Sequence, residues 1–359
     1  MKGVLLHGGY GTRLRPLTHT GPKQLIPVAG KPISQYSLED LREAGVKDVA
    51  IILGSVWPEK VREYYGDGSA LGMRLQYIYQ GDPKGLAHAV ALARDFVRND
   101  KFVVCLGDNL LRGGVTEHAS KFESGKLDAM VLLSKVSEPE RFGVAKFDAA
   151  GRLEALIEKP KHPPSPYALV GVYFFTSLIF DAIVKLKPSW RGELEITDAI
   201  QSLLNSGHFV EHRFVEGWWK DTGTPEDILE ANRLVLDEKL ADSDIKGWVE
   251  DGVLIQGRVR IQDGASIKKG TTIRGPAHIG RESVIEGGTY IGPYTSIGNR
   301  CRLSFCEIEN SIVMDGCQIE AKQRIIDSLI GPESEIVGHE EALPKGYRFV
   351  LGERSRLQL

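Results

Sequence analysis

The chain has 359 residues, of which 42% are hydrophobic and 26% charged, and its formal net charge is −3. This composition is ordinary for a globular protein of two domains, or of one large domain with an extension, and the sequence holds no basic block that would favour nucleic acid or an anionic membrane as the main partner. Cys105, Cys301, Cys306 and Cys317 form no Cys-x-x-Cys pair, so buried thiols in a reducing cytosol are predicted rather than a zinc site. No apolar segment is long enough for a signal peptide or a membrane span, and a cytoplasmic protein is expected.

Strand and helix patterns alternate through the first half of the chain. The sequence predicts strands at residues 4–6, 48–53, 74–79, 102–106 and 128–135, and helices at residues 58–65 and 86–96. This alternation is typical of an α/β fold with parallel strands, whose ligands bind at the carboxyl ends of the strands. Both the glycines that follow residue 7 and the Asp108 carboxylate are predicted to lie at such ends.

A glycine loop, residues 8–11, directly follows the first predicted strand. Three glycines in four positions let the backbone turn sharply and point its N–H groups at phosphate oxygens, and Arg13 and Lys23 add positive charge nearby. The Gly-Lys-Ser/Thr ending of a P-loop is absent, and the dinucleotide fingerprint fails because Leu14 stands where its third glycine is needed. A phosphate site of another kind is therefore indicated, and the alternative for the glycines alone is a plain turn between strand and loop.

The second half of the chain carries a repeat with a period of six residues. A helix is predicted at residues 225–240 and a polar linker at residues 242–251, and from Ile255 to Leu303 every sixth residue is isoleucine or leucine. The phase then slips and resumes at Val313. A six-residue apolar period predicts a parallel β-helix of about three coils, with the aliphatic side chains stacked inward.

Two N-terminal motifs indicate a family. Residues 8–14, Gly-Gly-Tyr-Gly-Thr-Arg-Leu, and residues 22–25, Pro-Lys-Gln-Leu, resemble the signature of the sugar-phosphate nucleotidyltransferases, and the similarity extends over essentially the whole chain. It is strongest to the long-form members with an extra C-terminal domain. The resemblance implies a Rossmann-like mixed-sheet catalytic domain at residues 1–241, the linker, and a left-handed hexapeptide-repeat parallel β-helix at residues 252–359. His7 departs from the family, which usually has a small residue there, often alanine.

The activity that this resemblance implies is transfer of a nucleotidyl group from dTTP to glucose 1-phosphate. An oxygen of the sugar phosphate attacks the α-phosphorus in line, pyrophosphate leaves, and Mg²⁺ assists. The alternatives are a UTP-dependent uridylyltransferase and a catalytically silent regulatory subunit. A third alternative is a bifunctional enzyme whose β-helix transfers an acyl group from an acyl carrier, a reaction that needs a histidine base, for which only His278 and His339 are available. Because His278 is expected to be solvated, a structural β-helix that supports a homo-oligomer is preferred.

The resemblance also implies roles for individual residues. Arg13 would contact the β- and γ-phosphates, Lys23 the α-phosphate and the sugar phosphate, and Asp108 and Asp221 would hold Mg²⁺. Gln80 would pair with the pyrimidine edge. The nucleotide-binding set is predicted to comprise Leu6, Gly8, Gly9, Gly11, Thr12, Arg13, Gln24, Gln80, Gly85 and Asp108.

The sugar phosphate is assigned a separate group of residues. Glu158 would accept hydrogen bonds from sugar hydroxyls, and Lys159 would meet the phosphate, although an exposed ion pair at a strand end is the simpler alternative. Arg191 is a second phosphate contact. The sugar-phosphate set is predicted to comprise Gly143, Glu158, Lys159, Val170 and Arg191.

Overall fold

The structure is a computed structural model that describes residues 1–338 and 353–356. His339 lies outside the described residues, as does part of the predicted domain at residues 252–359. The chain divides into two compact units by its contacts. The first comprises Met1–Gly11, Thr20–Leu25 and Ile33–Asp221, and the second comprises Thr12–His19, Ile26–Pro32 and Thr222–Leu359. These units are defined by contacts, so the boundaries at residues 241 and 252 between independent domains stay a prediction.

The described residues form the following elements. In chain order the strands of the first 221 residues are β1 (Lys2–His7), β2 (Pro27–Val28), β3 (Lys31–Pro32), β4 (Asp48–Leu53), β5 (Arg74–Tyr79), β6 (Phe102–Leu106), β7 (Asn109–Leu111), β8 (Ala129–Lys135), β9 (Gly143–Phe147), β10 (Leu153–Glu158), β11 (Tyr167–Phe175), β12 (Val210–Phe214) and β13 (Trp219–Asp221). The helices are α1 (Ile33–Glu43), α2 (Pro58–Tyr65), α3 (Leu86–Ala91), α4 (Arg94–Val97), α5 (Thr116–Ser124), α6 (Leu178–Val184), α7 (Ile196–Asn205) and α8 (Pro225–Lys239). The remaining strands are β14 (Asp244–Ile245), β15 (Trp248–Val249), β16 (Leu254–Gln256), β17 (Val259–Ile261), β18 (Ser266–Ile267), β19 (Thr272–Arg274), β20 (Ala277–Ile279), β21 (Val284–Ile285), β22 (Tyr290–Ile291), β23 (Thr295–Ile297), β24 (Arg302–Ser304), β25 (Glu307–Glu309), β26 (Ile312–Val313), β27 (Gln318–Glu320), β28 (Arg324–Ile326), β29 (Leu329–Ile330) and β30 (Glu335–Val337).

The first unit is built on a nine-stranded mixed sheet, as predicted. Its main path runs β10-β9-β11-β6-β1-β4-β5, and β8 pairs with β11 and β12. Strands β6, β1, β4 and β5 are mutually parallel, whereas β11 is antiparallel to β6 and β8. The predicted helix at 86–96 is instead two helices, α3 and α4, separated by a turn at Leu92 and Ala93.

Helices cover both faces of this sheet. Alternation along β1 sends Val4 and Leu6 to the face covered by α3, α6 and α7, and Leu5 to the face covered by α1, α2 and α5. Complete burial of each such side chain contributes about 1.5–3 kcal/mol. The sheet therefore fixes the carboxyl ends of β1 and β6, from which the glycine loop and Asp108 follow.

The second unit contains the parallel β-helix. This β-helix has more than the three coils that were predicted from the sequence. Two six-stranded parallel sheets and one five-stranded parallel sheet pair residues sixteen to eighteen positions apart, such as Ile261 with Ile279 and Ile297 with Val313. The inward isoleucines are completely buried, as at Ile285 and Ile291. The number of coils predicted from the six-residue period was too low because the inward stack of side chains does not stop at the phase slip. Ile308 pairs with Ile291 there and continues the stack.

The predicted linker at 242–251 is also different in the structure. It contains β14 and β15, which pair with β17 and β18 and so begin the β-helix. Val249 packs against the β-helix core and stands six residues before Ile255. The periodicity thus extended one step further back, but the charged residues around Val249 concealed it.

Helix α8 and the β2–β3 hairpin pack on the outside of the β-helix within the second unit. The capping box of Thr224 and Asp227 starts α8, and completely buried Asn232 accepts a hydrogen bond from Ala29 N at 2.8 Å. Gly30, at φ +83°, lies so close to the His278 ring that any side chain on it would overlap the imidazole. His278 is therefore buried, at 2% exposure, and the expectation of a solvated imidazole was wrong.

Two further expectations concern the chain as a whole. All four cysteines are free and buried, as predicted. No helix within residues 1–338 and 353–356 has the length and apolar character needed to cross a membrane.

Candidate active site

The glycine loop occupies the carboxyl end of β1, beside the end of β4. Gly9 and Gly11 have φ values of +96° and +58°, a region that favours glycine. A Cβ on Gly54, which follows β4, would lie 3.1 Å from the Gly8 Cα, so the two strand ends approach closely. Leu6, the last buried aliphatic of β1, accepts a backbone hydrogen bond from Gly107 N at 2.9 Å and so ties the start of this loop to the end of β6.

Lys23 and Asp108 form an ion pair at this edge of the sheet. The exposed fraction of the side chain is 15% for Lys23 and 14% for Asp108. Burial alone would raise the pKa of Asp108, but the charge and hydrogen bond of Lys23 and the hydrogen bond from Asn109 outweigh it, and the pKa lies below its usual range. The structure thus brings together a cation and a carboxylate that the sequence placed 85 residues apart.

Asn109 orients Asp108, and sequence reasoning missed it. Its Nδ2 donates to Asp108 Oδ1 at 2.9 Å, and its Oδ1 accepts from Trp219 Nε1 at 2.7 Å. Nothing distinguished Asn109 in the sequence except its position next to Asp108. Trp219 lies in β13, which pairs antiparallel with β7 and places Asp221 opposite Asn109.

Asp108 and Asp221 therefore lie on neighbouring segments, and their chemistry fits a magnesium ion. Mg²⁺ is commonly bound through one or two carboxylates and completes its shell with phosphate oxygens and water. Asp108 is held ionised, and Asp221 is only half-buried. Among the described residues no group of three or more His, Cys, Asp or Glu is placed to hold a metal ion.

Gln80 connects the glycine loop to the segment at residues 80–85. A Cβ on Gly8 would lie 3.2 Å from Gln80 Oε1, and Gln80 Nε2 donates to Gly85 O at 3.3 Å. The same amide nitrogen is 3.3 Å from His88 Nδ1, a partner that the sequence did not reveal. Gln80 is thus held between the two loops by contacts within the protein.

Gly85 has a structural role besides the predicted one. Its φ is +105°, and any Cβ would overlap the backbone of Leu194. Leu194 N donates to Lys84 O at 2.8 Å, and Ala87 N donates to Leu194 O at 3.0 Å. The segment at residues 80–85, which begins with the predicted base contact Gln80, is therefore joined to the segment around Leu194 through backbone contacts that exclude a side chain at position 85.

Glu158 lies at the centre of the predicted sugar-phosphate set. It pairs in register with Gly143, where an added Cβ would lie 2.7 Å from Thr197 Cγ2 and 3.1 Å from Glu158 Oε2. Thr197 Oγ1 donates to Glu158 Oε2 at 3.3 Å, and Arg191 Nη1 lies 3.6 Å from Glu158 Oε1. Burial and then the nearby Glu195 raise the pKa of Glu158.

The neighbouring residues of this set have different environments. Arg191 also contacts Glu193 at 2.9 Å and Glu195 at 3.3 Å, so its guanidinium is surrounded by carboxylates. Lys159 is exposed and adopts φ +40°. Val170 is completely buried in the core, and its predicted contact with the sugar phosphate stays a prediction.

Arg13 belongs to the second unit. Thr12 and Arg13 lie in a short 3-10 helix, Thr12–Leu14, and both are exposed. A Cβ on Gly223 would lie 2.7 Å from Arg13 Nη2, so the guanidinium lies against the backbone at Gly223.

A cavity of about 510 Å³ lies at the opposite edge of the sheet in the first unit. Its lining includes Arg94, Arg98 and Asp181, and Arg94 pairs with Asp181 at 3.1 Å. Asn99 of the lining precedes β6, so the cavity is at the amino ends of the strands. Ligands of open α/β sheets bind at the carboxyl ends, and the glycine loop remains the candidate site.

Comparisons with known proteins agree with the architecture. Residues 2–238 match the family described as Nucleotidyl transferase, and residues 273–354 match the GMPPB C-terminal domain. The chain is 54% identical over 359 residues to the low-salt glycan biosynthesis nucleotidyltransferase Agl11 of Haloferax volcanii, with all of both chains covered. It is 45% identical over 360 residues to a glucose-1-phosphate thymidylyltransferase of Streptomyces antibioticus, with 100% of this chain and 99% of that protein covered. A solved structure described as a glucose-1-phosphate thymidylyltransferase from Bacillus anthracis aligns with a TM-score of 0.62 and 40% identity, over 65% of this chain and 94% of that one.

Proposed function

Because the chain belongs to the nucleotidyl transferase family, we propose that it transfers the thymidylyl group of dTTP to glucose 1-phosphate, giving dTDP-glucose and pyrophosphate. The observation that carries the proposal is the buried Lys23–Asp108 ion pair beside the glycine loop. The choice of dTTP and glucose 1-phosphate is supported by the Streptomyces antibioticus relative, whose name states that activity.

The reaction joins two anions, so the first task of the protein is to neutralise charge. Lys23 is held at the carboxyl end of the sheet by Asp108 and contacts the α-phosphate and the sugar phosphate in this proposal. Backbone N–H groups of Gly8, Gly9 and Gly11 bind phosphate oxygens. Arg13 neutralises the leaving pyrophosphate, a role that rests on the resemblance of its motif.

Attack on the α-phosphorus is a displacement in line. One oxygen of the sugar phosphate forms a bond to phosphorus as the bond to the bridging oxygen breaks, and the electron pair leaves with pyrophosphate. Asp108 and Asp221 would hold Mg²⁺, which stabilises negative charge on the phosphates. Glu158, whose pKa is raised by burial and by Glu195, is suited to accept a hydrogen bond from a sugar hydroxyl, while Arg191 approaches the phosphate. Gln80 pairs with the pyrimidine edge.

UTP is the second candidate nucleotide, because a contact to a pyrimidine edge does not read the ribose 2′ position. The experiment is release of pyrophosphate by the full chain with dTTP, UTP, ATP and GTP, each against a panel of sugar 1-phosphates and Mg²⁺. We expect dTTP with glucose 1-phosphate to be fastest, UTP slower and purines poor. A clear preference for a purine nucleotide would overturn the thymidylyl assignment and leave nucleotidyl transfer itself intact.

A catalytically silent regulatory subunit is the alternative of another class. The intact Lys23–Asp108 pair argues against it, and Lys23→Ala provides the matched test. We expect this variant to lose on the order of 10²-fold in kcat, as for loss of one electrostatic stabiliser. Equal, near-zero release from the unsubstituted chain and the variant with all nucleotides would favour the silent subunit.

The β-helix is proposed to be structural and to support a homo-oligomer. Acyl transfer would need an accessible base, and His278 is buried with its Nδ1 facing no hydrogen-bonding partner in the described part of the chain. Acetyl transfer from acetyl-CoA that disappears in His278→Ala would contradict this role. A cytoplasmic location is part of the proposal, since the four buried cysteines are free thiols.

A further inference from the structure

A buried polar cluster lies under the glycine loop within the first unit. It consists of His7 at the end of β1, Ser34 at the start of α1, Tyr65 at the end of α2, and the carbonyl of Gln24. Ser34 Oγ is 3.0 Å from His7 Nε2, 2.7 Å from Tyr65 Oη and 3.0 Å from Gln24 O. We call these four groups the Ser34 cluster; Gln24 belongs to the predicted nucleotide-binding set, whereas His7, Ser34 and Tyr65 have not yet been given a role in the reaction.

Counting donors fixes the protons in the Ser34 cluster. The hydroxyl has one hydrogen and two acceptor positions, and its hydrogen goes to Gln24 O, because a carbonyl can only accept. The two acceptor positions are then filled by the Tyr65 O–H and by His7 Nε2–H. Burial keeps Tyr65 protonated by raising its pKa, so it is able to donate.

The imidazole of His7 is therefore neutral, with its hydrogen on Nε2. His7 is 3% exposed, and its burial lowers its pKa to about 3. Its Nδ1 has no hydrogen-bonding partner in the described residues, and a buried acceptor without a partner is better tolerated than a buried N–H without one. A neutral imidazole with Nε2–H is a donor to Ser34 and cannot accept its hydrogen.

This donor has a consequence for the loop above it. If Tyr65 were the only donor to Ser34, the Ser34 hydroxyl could turn and donate to the Tyr65 oxygen instead. When both His7 and Tyr65 donate to the two lone pairs of Ser34 Oγ, the Ser34 hydroxyl can donate only to Gln24 O. The Gln24 side chain in turn donates from Nε2 to Gly8 O at 2.6 Å, so the orientation of Ser34 bears on both the segment at residues 22–25, which carries Lys23, and the glycine loop.

We propose that His7 is a positioning residue for nucleotidyl transfer, which orients Ser34 and thereby holds Gln24, Lys23 and the glycine loop in the geometry that binds the nucleotide phosphates. This inference rests on the proposed function. It also explains how a large residue is accommodated where the family usually has a small one: the ring is buried and hydrogen-bonded to Ser34.

The test compares three substitutions of His7 in the full chain. The Gln amide places an N–H near the position of Nε2, whereas the Asn amide reaches only as far as Nδ1. We expect His7→Ala and His7→Asn to lower kcat/KM about tenfold, the effect of one hydrogen bond, and His7→Gln to stay within about threefold of the unsubstituted chain. Because no ionisation of His7 is involved near neutrality, the pH profile of His7→Gln should follow that of the unsubstituted chain.

Two further measurements keep the inference testable apart from turnover. Amide hydrogen exchange of residues 22–25 should speed up in His7→Ala and recover in His7→Gln, whether or not any nucleotide is a substrate. In a chain that already carries Ser34→Ala, the further substitution His7→Ala should change kcat/KM little, because the hydrogen bond between His7 and Ser34 is already lost. The inference would be overturned if amide exchange of residues 22–25 were unchanged in His7→Ala, if the effects of His7→Ala and Ser34→Ala on kcat/KM were additive, or if His7→Asn were more active than His7→Gln. An inactive unsubstituted chain would overturn only the proposed function.

Discussion

Lys23 and Asp108 meet across 85 residues of chain because their segments follow neighbouring structures at one edge of the sheet. Asp108 follows β6, which pairs with β1 in parallel register. At such an edge a small number of charged side chains decides the local electrostatics. Lys23 is nearly as buried as its partner, so removal of either charge leaves the other poorly solvated.

Asp108→Asn is predicted to abolish most turnover. The substitution removes a carboxylate that is proposed to hold Mg²⁺ and that pairs with Lys23, and we expect a loss on the order of 10²-fold or more in kcat. The matched control is Asp48→Asn, which breaks the exposed ion pair with Arg74 at 2.6 Å. That variant should keep its activity, with a change in stability within about 1 kcal/mol. An Asp108→Asn enzyme as active as the control at limiting Mg²⁺ would contradict the assignment.

Gly143→Ala is predicted to impair use of the sugar phosphate. The new methyl group would lie 2.7 Å from Thr197 Cγ2 and 2.9 Å from Leu169 Cδ1, so Thr197 and its bond to Glu158 must shift. We expect a loss on the order of tenfold in kcat/KM for the sugar phosphate, with nucleotide affinity little changed. Gly21→Ala, where an added Cβ meets nothing within 4 Å, is the control. Equal kinetics for the two variants would remove Glu158 and Thr197 from the sugar site.

The sequence predicted the charged residues of the site better than the residues that orient them. Lys23 and Asp108 were identified because they lie in motifs that resemble a family. Asn109, Ser34 and Tyr65 carry no such signal, because their role depends on which segments meet in space. The roles of Lys23, Asp108, Gln80, Glu158 and Arg191 in binding ligands all remain predictions, since the contacts described for them are within the protein.

At the scale of elements, periodicity predicted what depends on local sequence. Strands β4, β5 and β6 and helix α2 have the predicted bounds, because each is a buried strand or an amphipathic helix with clear ends. The antiparallel insertion of β11 between β6 and β9 left no local signal, since pairing partners are chosen by the whole sheet. The short strands β14 and β15 were not predicted because the charged residues around Val249 concealed the six-residue period there.

Asn232→Ala is predicted to destabilise the second unit. Asn232 Oδ1 accepts from Ala29 N at 2.8 Å and from Ser296 Oγ at 2.7 Å, and its Nδ2 donates to Tyr294 O at 2.8 Å. The substitution leaves three groups without this partner in a region closed to water, and we expect the free energy of unfolding to fall by about 3 kcal/mol or more. Urea unfolding measures it.

The control for this prediction is another helical asparagine. Asn205, at the end of α7, accepts one exposed hydrogen bond from Gln201 at 2.8 Å. Its replacement by alanine should change stability by no more than about 0.5 kcal/mol. If the two alanine variants unfolded at the same urea concentration, the hairpin, α8 and the β-helix would not be held together through Asn232.

At the scale of the whole molecule, the sequence predicted the order of the two folds but not how the N-terminal segments are divided between the compact units. Residues 12–19 and 26–32 are contributed to the second unit, where Gly30 meets His278. These contacts join residues almost 250 positions apart, and no hexad or strand pattern contains such a pairing. The prediction of independent domains therefore needs a test that reports on the second unit alone.

His278 provides that test through the pH dependence of stability. Burial, followed by the charge of Arg260, lowers the pKa of His278 from 6.5 to about 4. As the pH falls from 6.5 to 4, the unfolded chain binds a proton that the native second unit excludes, so the free energy of unfolding decreases by up to about 1.4 kcal/mol per pH unit from this group. Above pH 6.5 the contribution is constant, and below pH 4 it no longer changes.

His278→Phe keeps a ring against Gly30 without the titrating nitrogen. We expect this variant to show a smaller change in the free energy of unfolding between pH 6.5 and 4, while its difference in stability from the unsubstituted chain is the same at pH 7 and pH 8. Urea unfolding at five pH values from 4 to 8 measures both, and an undiminished slope in the variant would show that the imidazole reaches water in the native protein and that the hairpin does not cover it.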